Sequence, residues 1–115
     1  MKIIFFLLFL ISLSGCVNKN RPHILNKEEM EKVIWDIMLV EEFANIQAAR
    51  DSLRNIDKER LNLYMKVFQL HRTTREDFSS SLKYYAAKPA VMKAIFDTLS
   101  AKKEREKRFP LKLNK

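Results

Sequence analysis

Glycine is almost missing from this chain of 115 residues: there is one, with one cysteine, one tryptophan and three prolines. The single glycine, Gly15, lies directly before Cys16, so residues 16–115 contain none. Phosphate-cradling loops, nucleophile elbows and dinucleotide fingerprints need glycine, because the backbone there approaches a ligand closely or takes positive φ. Those chemistries are excluded. The length allows one small domain. Histidine is equally sparse: His23 and His71 stand 48 positions apart, with no carboxylate–histidine spacing of the ligand kind. A metal site and a cofactor are therefore not expected. Ser79-Ser80-Ser81 lacks the local geometry of a nucleophile and reads as the polar side of a helix.

Long apolar runs are few as well. The longest is Ile3 to Ile11, behind Met1-Lys2. Nine residues at ~1.5 Å each cover roughly 14 Å, half a hydrocarbon core, so the run is too short to span a membrane. A positive start, a short apolar centre and small residues after it describe a secretory signal peptide. The next residues, Leu13-Ser14-Gly15-Cys16, resemble the bacterial lipobox, which directs lipidation and cleavage at the cysteine. That resemblance implies a diacylglyceryl thioether on Cys16 and an acylated new N-terminus. Two or three acyl chains anchor a protein stably where one does not. Lipidation would use the only thiol, leaving no Cys nucleophile, disulfide or Cys-ligated metal. Val17 is not Asp, and no acidic cluster follows Cys16. By analogy with known sorting signals, this favours the periplasmic face of the outer membrane.

The formal charge of +8 is unevenly placed. Residues 26–101 hold 12 basic and 12 acidic side chains, whereas residues 102–115 hold seven basic and two acidic. The expected body is neutral and the excess sits at the ends. Nucleic-acid binders carry a basic stripe on a folded face, often with stacking aromatics, so no nucleic-acid partner is expected. The basic tail reads either as a solvated helix end or as a contact with an anionic membrane surface.

The pattern predicts an all-α domain of about four helices. The expected divisions are a signal peptide over 1–15, a lipidated tether over 16–25, a helical domain over 26–101 and a basic tail over 102–115. Asn26 with Glu29 has capping-box spacing, and Met30, Val33, Ile34, Ile37, Val40, Ala44 and Ala48 form a helical stripe as far as Arg50. A second helix is expected from Asp57 to His71 on Leu61, Tyr64, Val67 and Phe68. Thr74 with Asp77 caps a third, with Phe78, Leu82 and Tyr85 together. Pro89 suits the first turn of a fourth, whose apolar side is Val91, Met92, Ile95 and Leu99.

A longer resemblance appears at this point. Leu63 to His71, then Thr74-Arg75-Glu76-Asp77-Phe78, Ser81-Leu82-Lys83-Tyr84-Tyr85 and Pro89 are similar to a family of small bacterial lipoproteins, mainly of the Bacteroidota, catalogued as a domain of unknown function. Asp36 and Glu41 also fit its pattern. The family tends to place Gly after the helix-two His, where this chain has Arg72, and Asn before the Pro, where it has Lys88. Arg72 must then take a helix-ending conformation at some cost. Lys88 is a poorer cap. The resemblance implies fold and address but brings no activity.

Two constellations stand out. Trp35, Leu39, Phe43 and Ile46 lie nearly opposite the core stripe of the first helix, which is either covered on both sides or offers one side to a partner: another protein, a second copy or lipid. Glu41 interrupts the core stripe and needs a donor. His71, or one of Tyr64, Tyr84 and Tyr85, is the expected partner in a structural polar tie. Of the tyrosine pair, Tyr85 is expected inward and Tyr84 at the surface. The functional expectation is a lipid-anchored, non-catalytic binding module with an envelope protein as partner. The alternatives are an enzyme accessory or weak hydrolase using Glu41 and His71, or a chaperone-like holder of exported chains.

Overall fold

A computed structural model describes residues 21–108. The expected signal peptide, Cys16 and the last seven residues of the basic tail lie outside the described residues. Four helices follow one another: α1 Lys27–Arg50, α2 Ile56–Leu70, α3 Arg75–Ala86 and α4 Pro89–Arg108. No strand occurs among the described residues, and none of the described helices is long and apolar enough to cross a membrane.

Each boundary has a local cause. The Asn26 side chain accepts the Glu29 N–H at 2.9 Å while Glu29 accepts the Asn26 N–H at 2.8 Å, the reciprocal pair that the spacing predicts. After α1, the Asp51 carboxylate accepts the N–H of Leu53 at 3.0 Å and turns the chain. Asn55 caps α2 through Lys58, and Thr74 caps α3 through Asp77. Between α2 and α3, Arg72 stands at φ 51°. Its N–H reaches the Gln69 carbonyl and the next N–H, of Thr73, reaches that of Phe68. This is a Schellman ending built without glycine, with a Cβ in the left-handed region. At Pro89 the missing side-chain cap is replaced by backbone: the Lys88 carbonyl accepts the N–H groups of both Val91 and Met92 at 3.0 Å.

The core is α1's stripe pressed between the other helices. Met30, Val33 and Ala44 are fully buried, Ile34, Trp35 and Val40 nearly so, and they meet Val67, Phe68, Tyr85, Ile95 and Leu99. Burying such side chains contributes about 1.5–3 kcal/mol each, the favourable term behind a bundle this small. Phe68 packs on Phe78 with ring centroids 5.6 Å apart. The stripe is shorter than the spacing suggests: Ile37 is half-buried and Ala48, in the last turn of α1, is exposed.

Two expected boundaries shift. The tether does not extend to residue 25, since Leu25 is only 4% exposed and its backbone is bonded to α3. Residues 23–25 form a short strap across the domain. The helical body does not stop at residue 101 either: α4 continues to Arg108. Its cations there complement the C-terminal dipole, Lys107 pairs with Glu104 at 3.1 Å, and Lys102 sits 4.2 Å from the Trp35 ring centre.

Candidate functional site

Of the polar ties expected for Glu41, the one with Tyr64 is present, while His71 pairs with Asp36 instead. α1 and α2 run antiparallel, so Asp36 of α1 faces the end of α2 and Glu41 faces its middle. His71 Nε2 lies 2.6 Å from Asp36 Oδ2, both side chains half-buried. The Tyr64 hydroxyl donates to Glu41 Oε1, and Arg60 Nε lies 3.4 Å from the same oxygen. Glu41 and His71 are thus not brought together. Asp36 and Glu41 are five positions apart on α1, more than one helical turn, and each carboxylate takes the α2 donor at its own level. Tyr64 was among the donors foreseen for Glu41, while Asp36 entered only through the family pattern. Among the described residues no further titrating side chain is hydrogen-bonded to the Asp36–His71 pair, which ties α1 to the end of α2.

The second tie holds the strap to α3. The Ser81 hydroxyl is fully buried; it accepts the Leu25 N–H at 2.8 Å and donates to the Asp77 carbonyl at 2.6 Å. The Tyr85 hydroxyl donates to the Leu25 carbonyl at 2.9 Å, and Asp77 accepts the His23 N–H at 2.6 Å. Burial pushes the Tyr85 phenol above its ordinary range, and neighbouring Tyr84 pushes it further. Tyr84 itself is at the surface, 43% exposed beside the Lys88 ammonium. Ser81 corrects the reading of the serine run as a polar face. It lies three residues after Phe78 and four before Tyr85, on α3's inner stripe, and that spacing was the available signal.

The apolar candidates divide. Trp35 is core, 7% exposed, and leaves the set proposed for a partner. Its ring sits between α1 and α4, covered by Lys102 and Leu99. Leu39, Phe43 and Ile46 stay exposed at 45%, 42% and 46%. A second apolar surface was not foreseen. Leu61 and Leu82, placed on core stripes by periodicity, instead border, with Met65, a groove between α2 and α3 lined also by Ile37, Phe68 and Phe78. The groove holds about 360 Å³, within the range of small-molecule sites, and Arg75 and Ser79 are also among its lining residues. Arg75 makes no ion pair among the described residues. No three His, Cys, Asp or Glu side chains converge as metal ligands there.

A family model described as "Domain of unknown function (DUF4296)" matches residues 22–108. The chain belongs to that family. The DUF4296 match opens at Pro22, one residue before the strap makes its first bond to α3, and closes at Arg108, where α4 ends. The family unit is therefore the strap and all four helices together. No curated protein and no solved structure matches the chain.

Proposed function

We propose that this DUF4296 protein is a non-catalytic binding module of the cell envelope, anchored by lipid on Cys16 at the periplasmic face of the outer membrane, and that it captures an apolar segment of an envelope protein in the α2–α3 groove. The address rests on Leu13-Ser14-Gly15-Cys16 behind the Ile3–Ile11 run. The binding role rests on the groove. Leu61 and Met65 are 53% and 46% exposed on one face of α2, with Leu82 opposite on α3, and Arg75 supplies a cation for a carboxylate flanking the captured segment. Apolar walls with a few polar groups at the rim are the general form of such sites. Glu41 and His71 argue for this reading over a hydrolase, since both are engaged in helix–helix ties.

A photo-crosslinking residue at Met65 tests the groove in intact envelopes. A discrete protein adduct from position 65, absent when the same probe replaces the 96% exposed Leu53 and lost on Leu61→Asp, supports the reading. Equal labelling from both positions overturns it. The anchor is checked separately: the mature N-terminal peptide should begin at Cys16 and carry the mass of its acyl chains.

A further inference from the structure

On the side of α1 turned away from the groove, we infer a second docking surface, for an anionic lipid bilayer, made of Leu39, Phe43 and Ile46 with the cationic end of α4. Ile37 of the groove and Leu39 of the stripe are two residues apart, about 200° around a helix, so the two surfaces lie on opposite sides of α1. Leu39, Phe43 and Ile46 follow i, i+4, i+7 spacing, and each keeps over two fifths of its surface in water. A line of three large apolar side chains on a helix is the kind of surface that settles at the boundary of headgroups and acyl chains.

The charge beside the stripe selects the occupant. α4 runs parallel to α1 at this level, and Leu39, Met38 and Glu42 share a shallow groove with Lys103, Glu106 and Lys107. The last seven residues of α4 carry five cations and two carboxylates, against an even balance over residues 26–101. Glu104 takes Lys107 as an ion-pair partner and Lys102 lies on Trp35, while Lys103, Arg105 and Arg108 make no ion pair among the described residues. In that groove Lys103 and Lys107 stand against Glu42 and Glu106, so the net positive charge belongs to the end of α4 as a whole. A partner surface must therefore be apolar against the stripe and negative toward that end. A bilayer containing anionic headgroups meets both demands without requiring shape complementarity, and a polybasic rim is what such a surface attracts. The same segregation argues against a second copy, which would set cation against cation. The inference does not rest on the proposed groove partner or on the state of Cys16.

The test places one tryptophan on each side. Full-length chain carrying Trp35→Phe with Phe43→Trp is reconstituted on vesicles of brominated zwitterionic lipid, and on the same vesicles with anionic lipid added. A second chain carries Trp35→Phe with Met65→Trp. Quenching at position 43 that appears with anionic lipid, stays low at position 65, and drops about threefold or more on Lys103→Gln with Lys107→Gln supports the surface. Circular dichroism reports that each variant is folded. A tryptophan at 43 that remains in water on both vesicles, quenching equal at 43 and 65, or quenching indifferent to the two lysines overturns it. Whether the chain is held by acyl chains on Cys16 or by the Ile3–Ile11 run, the contrast between positions 43 and 65 reads docking alone.

Discussion

The hydroxyl of Ser81 and the backbone N–H of Leu25, 56 positions apart in sequence, are hydrogen-bonded at 2.8 Å inside the protein. Leu25 precedes the first helix and Ser81 sits in the third. The bond therefore closes the chain upon itself and makes the strap part of the fold. Ser81→Ala should strand the Leu25 N–H without a partner, at a cost of about 1–3 kcal/mol. Denaturant unfolding should show a lower midpoint with the slope little changed, and hydrogen exchange should show the Leu25 amide losing protection first.

Arg72 offers the opposite sign. Its φ of 51° places a Cβ where glycine carries none. Arg72→Gly should stabilise the protein by about 0.5–1 kcal/mol, the left-handed cost being offset in part by the freer unfolded chain. A domain of this size should gain roughly 2–8 °C in Tm, readable by calorimetry.

Alkaline unfolding should report Tyr85. Its phenol is raised by burial, so the folded state keeps the proton where the unfolded chain has lost it. The folded state then binds more protons, and stability, fully present below about pH 10, falls as pH rises through and above that value. Tyr85→Phe should start less stable, having lost the bond to the Leu25 carbonyl, and should show a shallower alkaline decline. Denaturation midpoints measured across that pH range for both proteins check this.

Trp35 and Phe43 should part company under substitution. Trp35→Ala removes a buried ring and should cost about 3–5 kcal/mol. Phe43→Ser on the exposed stripe should stay within about 0.5 kcal/mol. Equal losses in thermal melts would contradict the placement of the two rings.

A double-mutant cycle should separate the two polar ties. Asp36→Ala and His71→Ala should each lose about 1 kcal/mol and couple to one another, whereas His71→Ala and Glu41→Ala should add independently. Coupling between Glu41 and His71 in urea unfolding would contradict the geometry.

Much of the bundle was legible because capping is local. Asn26 with Glu29, Thr74 with Asp77 and Pro89 declare helix starts within one turn, and each start falls where those residues predict. The Arg72 ending was legible through the family resemblance, which tends to place Gly at that position. What escaped was settled by distant partners. Leu25 lies in a polar stretch and is buried only because Ser81 and Tyr85 receive its backbone. Leu61 and Leu82 share helical stripes with core residues, yet they border an open groove because no helix covers α2 and α3 on that side. Asp36 and Glu41 could each have met His71 by residue type. Only the antiparallel register of α1 and α2 decides between them.

The clamp on Leu25 also determines how a pull would travel. Tension on the chain ahead of Pro22 meets Asp77, Ser81 and Tyr85 before it reaches α1, so the force enters through α3, in the interior of the sequence. Those bonds follow one another along residues 23–25. A pull on the strap would thus load α3 before the first turn of α1.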